Sequence, residues 1–405
     1  MMRQVWTFMA RGLGAPALVM VMVVVGDAVA RPDESTGRII TGLEEPFVAT
    51  RATSAEDDRA LDVAIAAFRI AAAKLPTDAS SYLAPLARFV ETHPGSGWNA
   101  AVLTNLGIVY YRAGYFGRAL DSWRAAWSGG RDATDPRVRA VVDRALSELA
   151  RLHARLGHVD ELESLVKDAR GRALGDAAAA AMASARQRAW ILRRDPGAAS
   201  LGGPSALKQL LIAHGTASDA VAFLDKERSG PRGFSLWQLA GLAERAGLHH
   251  RLIHREPGQA IPVPSIVHWN VHHFSAIVGA RAGGYLVRDR AQGAGGEELW
   301  IREAAIDSET SGFFLVPSDA AQDGRWRDAI SAEASRIYGT GSAAVSGPTP
   351  RCAEVRHWGR AARRSPLAHR CQERSRFAGS EPVAPSGLTD SAVPLRRRCV
   401  HSARR

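Results

Sequence analysis

Apolar residues fall at helical spacing from Asp57 onward, with Leu61, Ile65, Phe68 and Ile70 on the repeating positions. The pattern resumes from Tyr82 to Glu91 and is cut by His93-Pro94-Gly95-Ser96, where Pro and Gly interrupt the helical ladder. Two antiparallel helices are predicted there. After Arg193-Arg194-Asp195-Pro196-Gly197 the pattern changes. Gly203 to His214 reads as a helix with Pro204 in its first turn, where a missing N–H costs no bond. Ser218 to Lys226 and Leu236 to Ala246 read as two more, the second capped by Ser235. Short runs of β character follow at His249–His254, Ser265–His268, Phe274–Val278, Tyr285–Val287 and Phe313–Val316, separated by Gly or Pro. Helices first and a sheet afterwards predict an all-α part followed by an α+β part.

Between the first helices and this change, Leu103, Leu106, Gly107, Tyr110, Gly114, Ala119, Trp123 and Ala126 stand at spacings that resemble a tetratricopeptide repeat. Gly107 and Ala119 let two helices approach, and Tyr110 and Trp123 fill the space between pairs. Leu149, Ala150, His153, Gly157, Leu162, Val166 and Ala169 give a weaker copy. Its longer spacing is assigned to the polar loop from Gly129 to Pro136. Stacked hairpins of this kind leave a concave surface for a peptide or a partner's helix, which makes Tyr110 and Trp123 peptide-binding candidates. A plain helical bundle with small residues at its crossings is the alternative.

Composition narrows the class. The 405 residues suffice for two or three domains, and 46% apolar content with 7% aromatics favours helix-rich globular structure. The net charge of +11 invites a nucleic-acid reading, but from Arg351 onward there are thirteen arginines against four carboxylates, so the rest of the chain is close to neutral. The body has no basic stripe interleaved with aromatics, and nucleic-acid binding is not expected. Gly347 to Arg405 lacks hydrophobic periodicity and is predicted to be a disordered, Arg-rich tail, the product of an altered reading frame or the degenerate end of a longer gene. All three cysteines, Cys352, Cys371 and Cys399, lie in it. At the other end, Arg3 and Arg11, the apolar stretch Ala15–Val25 and Ala28-Val29-Ala30 form a secretory signal with cleavage after Ala30. The protein is expected to be exported, periplasmic or extracellular, with membrane attachment only if that segment stays uncleaved.

The chemistry concentrates in three places. Leu201-Gly202-Gly203-Pro204-Ser205-Ala206-Leu207 opens a helix, Pro264-Ser265-Ile266-Val267-His268 leads to His273-Phe274, and Val287-Arg288-Asp289 precedes a Gly-containing turn. This order, with Leu239 to Leu248 between the first two, resembles the double-glycine peptidases, papain-like domains that remove leader peptides in bacteriocin exporters. The resemblance spans about residues 200 to 317 and implies a papain-like α+β fold. It places Gly202 where the family has its nucleophilic cysteine, His273 as general base and Asp289 as the orienting carboxylate. It puts Pro196 where the family has an oxyanion-stabilising glutamine. Two of four chemical positions are therefore replaced. Ser200 and Ser205 flank the nucleophile position, but a shift of two or three residues at a helix end turns their side chains away from His273.

His268, His272 and His273 also suggest a metal, yet strand alternation puts the first two on one face and the third on the other, and no H-E-x-x-H or paired-cysteine spacing adds a ligand. No metal and no cofactor are expected. Trp237, Trp269 and Trp300 are read as core or sheet-edge packing.

The sequence thus predicts a signal peptide over 1–30, a linker over 31–56, a tetratricopeptide-like helical domain over 57–192, a papain-like domain over 193–320, and a short helix followed by the basic tail over 321–405. The leading expectation for function is an exported, noncatalytic peptide- or protein-binding protein on a degenerate cysteine peptidase scaffold. The alternatives are a cysteine peptidase whose nucleophile is lost only in this copy, and a secretion-associated scaffold acting through the helical repeats.

Overall fold

Among the described residues, seven helices come first: α1 (Ala55–Ala72), α2 (Ala79–Thr92), α3 (Asn99–Arg112), α4 (Phe116–Gly130), α5 (Pro136–Leu156), α6 (Val159–Asp168) and α7 (Asp176–Arg194). The computed structural model describes residues 37–340 apart from 75–77, 218, 231, 290–296 and 321–325. The proposed signal segment and the basic tail lie outside the described residues, as does Ser218. Local chemistry sets the helix ends. Ser54 and Asp78 accept bonds from the amides of Asp57 and Ser80, Asp135 caps α5 ahead of Pro136, and Gly157 ends α5 at φ 74°, a left-handed conformation that favours glycine. Each helix packs on its neighbour in sequence, and α3 also packs on α5.

Three expectations for this half are corrected. The spacing excess between the two repeat-like segments lies in the 21 residues of α5, because Gly129 and Gly130 remain helical at the end of α4. Val142 packs where a side chain at Gly130 would stand. The described part of the proposed linker, from Gly37 on, is packed: Phe47 is fully buried, and Asn105 Oδ1 accepts from the amides of Glu44 and Glu45 at 3.0 and 2.9 Å. Ile70, placed on the apolar face by its spacing, is exposed.

Beyond α7 lie the short α8 (Pro196–Ala199), α9 (Gly202–Ala213), a 3-10 turn over Ala222–Lys226 where a longer helix was predicted, β1 (Phe234–Ser235) and α10 (Leu236–Arg245). Ser235 caps α10 reciprocally with Gln238. Then follow β2 (His250–Arg255), β3 (Ser265–Trp269), β4 (His273–Arg281), β5 (Gly284–Asp289), β6 (Glu297–Arg302), α11 (Glu303–Glu309), β7 (Thr310–Pro317), β8 (Trp326–Asp328), α12 (Ser331–Ala334) and β9 (Tyr338–Gly339). Seven strands form one antiparallel sheet in the order β6-β5-β4-β3-β7-β2-β8, while β1 pairs with β9 in a separate ladder. This folded part therefore continues to Thr340, twenty residues past the predicted boundary at 320.

Strand alternation sorts the sheet's two faces. Ile266, Phe274, Ala276 and Leu315 face α9 and α10. Val267, Trp269, Ile277, Val287 and Phe314 belong to the same apolar cluster as the cores of α1 to α7. The ring of Phe116 at the start of α4 meets Trp269 edge-on at 4.9 Å, and the amide of Gly117 donates to Glu309 Oε2 at 2.7 Å. The helical half and one face of the sheet therefore share one core, while the other face forms a second with α9 and α10.

A close approach in the helical half falls at Gly107, whose missing side chain leaves room for the Trp123 indole. That indole donates to the Thr104 carbonyl at 3.2 Å. Gly107→Ala would place a Cβ 2.7 Å from Trp123 Cε2 and should cost about 1–3 kcal/mol in urea unfolding. An unchanged midpoint would show that α3 and α4 do not cross there.

Candidate functional site

Three elements converge at the start of β4. A tight turn from Trp269 to His273 reverses the chain, with His272 at φ 55°, an uncommon conformation for a side chain other than glycine. The turn, rather than a continuous strand, decides where the three histidines point. His268 pairs across the ladder with Phe274, His272 lies in the turn, and His273 faces the helical half. The continuous strand implied by the predicted alternation is replaced by a turn, yet the His268 and His272 rings still lie near one another, 6.3 Å between centroids, while His273 bonds Asp289. Among the described residues, no group of three His, Cys, Asp or Glu side chains is placed to hold a metal.

His273 is buried, and its Nε2 hydrogen bonds to Asp289 Oδ2. Asp289 ends β5, and it reaches His273 because β4 and β5 are adjacent antiparallel strands. The same carboxylate oxygen accepts from Ser275 Oγ at 3.2 Å and from Arg155 Nη2 at 3.0 Å. Trp269 closes this group, its Nε1 donating to Ser275 Oγ at 2.9 Å. Burial by itself would push the Asp289 carboxyl up, but the His273 and Arg155 charges and their hydrogen bonds outweigh it and hold it well below the usual carboxylate range. With Nε2–H committed to Asp289, the basic atom of a neutral His273 is Nδ1, which is buried without a hydrogen-bond partner among the described residues.

Gly202 is the first residue of α9, whose N-terminal end packs on β4. A side chain at its neighbour Gly203 would stand 3.6 Å from the ring of Phe274, the neighbour of His273. The structure therefore brings the start of the helix and the start of the strand together. Gly202 has no positive φ, so nothing in its backbone demands glycine. Ser200 and Ser205 are both buried. Pro196 opens α8, a single turn ending before Ser200, whose amide donates back to the Pro196 carbonyl.

Tyr110 and Trp123 are corrected as direct ligand contacts on an open concave surface. Both are buried in the shared core, Tyr110 against Tyr115. Trp123 shows only an edge, at the floor of a cavity of about 520 Å³ bordered by Arg144, Glu148 and Glu298. Among the tryptophans read as packing, Trp269 is fully buried, but Trp237 and Trp300 are 52% and 41% exposed, and the Arg281 guanidinium stacks 3.8 Å over Trp300.

Sequence reasoning missed Arg155, Ser275 and His158. Arg155 sits on α5, 134 residues before Asp289, where an arginine reads as an ordinary helix surface residue. His158 lies just beyond the same helix; its Nε2 donates to the Val271 carbonyl at 3.2 Å, and its Nδ1 lies 3.1 Å from His153 Nδ1. That geometry fits two neutral rings, His153 donating to His158.

With this geometry in place, the Peptidase C39 family model matches residues 200–322, the part that holds α9, strands β1 to β7, His273 and Asp289. No curated protein matches. Among solved structures, the crystal structure of a double glycine motif protease from an AMS/PCAT transporter, in complex with the leader peptide, is 21% identical. The match covers 28% of this chain and 81% of that one, with a TM-score of 0.24. The C-terminal half of the folded chain is thus peptidase-like, whereas α1 to α7 lie outside the match.

Burial sets the pH response. It lowers His153 to about 3, with the neighbouring His158 and Arg124 charges adding, and it lowers His268 to about 4. Both rings stay neutral in the folded chain while their unfolded counterparts take protons near pH 6.5, so the unfolded state binds more protons as the pH falls. Stability should be full above about pH 6.5 and decline toward pH 4, with a slope of up to about 1.4 kcal/mol per pH unit for each ring. Urea unfolding at pH 7 and 4.5 measures it, and His268→Gln should flatten the dependence. The same slope in that variant would remove His268 from the explanation.

Proposed function

We propose that the protein binds an extended peptide in a papain-like cleft and does not cut it. One observation carries this reading: a buried His273 is oriented by Asp289, its basic Nδ1 lacks a partner, and the helix terminus alongside offers Gly202, which has no nucleophile. A carbonyl carbon held there meets no thiol, so no acyl-enzyme forms and hydrolysis loses its covalent route. Pro196, at the place the resemblance assigns to the oxyanion glutamine, has no side-chain donor, and stabilisation of a tetrahedral intermediate is weakened in the same direction. A cleft of this kind retains the means to hold a peptide through main-chain hydrogen bonds.

In this reading α1 to α7 form a tetratricopeptide-like half that supports the cleft through Arg155, and the ligand is a peptide or protein, not a nucleic acid. The N-terminal segment supports export with cleavage after Ala30, and no cofactor takes part. A second reading, a cysteine peptidase whose nucleophile is lost only in this copy, is favoured by the intact bonding among His273, Asp289, Ser275 and Trp269.

Gly202→Cys separates the two readings. The wild-type chain should leave a peptide with a Gly-Gly or Gly-Ala junction at full length by mass spectrometry. Restored, alkylation-sensitive cleavage in Gly202→Cys that is lost on adding His273→Ala would show that one residue separates this chain from a peptidase. No cleavage in a folded Gly202→Cys chain would show loss beyond that residue, and cleavage by the wild-type chain would refute the noncatalytic reading.

A further inference from the structure

The segment after α12 runs between β1 and the His268–His272 turn. Tyr338 and Gly339 pair with Ser235 and Phe234 in an antiparallel ladder, and the amide of Leu236 donates to the Ile337 carbonyl at 2.8 Å. On the opposite wall, His268 Nε2 donates to the Tyr338 carbonyl at 2.9 Å. The Thr340 amide donates at 3.0 Å to the carbonyl of His272, the residue immediately before His273. The helical half closes the third side, because Thr340 Oγ1 donates to the Leu156 carbonyl at 2.9 Å and Gly157 leaves room for the Thr340 carbonyl. The segment is therefore read through its main chain on both walls and clamped by the end of α5.

Its middle residue has a steric requirement. A Cβ on Gly339 would collide with the Phe274 ring, 2.6 Å from Cε2. The same ring edge is the one a side chain at Gly203 would face at 3.6 Å. Gly339 thus lies at the junction of α9 and β4, beside the positions discussed above. Tyr338 is held by Arg232, whose guanidinium lies 4.1 Å from the ring centroid and bonds the phenol oxygen at 3.1 Å.

We propose that the peptide groove beside His273 carries a resident ligand in cis, the chain's own Tyr338-Gly339-Thr340, and that any peptide arriving in trans must displace it. This inference rests on the cleft being a peptide groove. A segment joined to α12 by Ser335–Ile337 competes as a ligand at an effective concentration of about millimolar or higher, so weak trans peptides are excluded and tight ones are selected. Retention of an uncut cis segment is also consistent with glycine at position 202.

The test uses the full chain and two readouts. Hydrogen exchange should show the amides of Leu236 and Thr340 protected in the wild type and unprotected in Gly339→Ala. A labelled peptide of sequence Arg-Ile-Tyr-Gly-Thr, followed by fluorescence anisotropy, should bind Gly339→Ala at least about tenfold more tightly than wild type, as the loss of an internal competitor requires. Thr340→Pro removes the amide that reaches His272 without touching Phe274, and it should act in the same direction if Gly339→Ala does not fold. Free exchange at Thr340 in the wild type, or equal peptide affinity in wild type and either folded variant, would overturn the proposal. Segment release without peptide binding in either variant would instead leave the cis contact standing and refute the reading of the cleft as a site for a peptide in trans.

Discussion

A buried carboxylate must find positive partners, and in this protein that requirement ties the two halves together. Asp289 lies at the end of β5 with its oxygen shared among His273, Arg155 and Ser275. Desolvation would otherwise force the group to take a proton, so its ionisation depends on His273 and on a guanidinium that arrives from α5, outside the peptidase-like region. The orientation of His273 follows from that ionisation, because only a carboxylate fixes Nε2 as the donor and leaves Nδ1 as the basic atom. The helical half is thereby part of the site's electrostatics as well as its support.

The same junction explains why the cleft is closed on three sides. Phe116 against Trp269 and Gly117 against Glu309 bring the α3–α4 turn onto the sheet, and the end of α5 then lies over the start of β4. Tyr338 to Thr340 lies between β1 and the His268–His272 turn. In the proposed reading, a peptide would meet the peptidase-like sheet, α9 and the helical half together.

Much of this was legible in local patterns. Leu61, Ile65 and Phe68 announce α1, Ser235 announces the start of α10, and the β-like runs Ser265–His268 and Phe274–Val278 announce β3 and β4. His273 and Asp289 could be found because the motifs around them resemble those of the double-glycine peptidases, and the β4–β5 pairing then brings them together. Arg155 could not, since its role depends on a contact across 134 residues that no periodicity encodes. The two-residue strands β1 and β9 are too short to carry a pattern, and the turn at His272 depends on a left-handed residue that sequence rarely signals. Tyr110 and Trp123 mislead for the opposite reason: aromatic size at helical spacing serves core and ligand surfaces equally, and here the shared core claims both.

A double-mutant cycle between Arg155 and Asp289 tests the central claim directly. Arg155→Met, Asp289→Asn and the double variant would be compared by urea unfolding, with the side-chain proton resonances of His273 followed by NMR as a report on ring orientation. The account predicts that each single change destabilises by about 3–5 kcal/mol, that the coupling energy exceeds about 1 kcal/mol, and that Arg155→Met alone alters the His273 resonances. Additive effects with an unperturbed His273 in Arg155→Met would contradict it, because the helical half would then contribute nothing to the site.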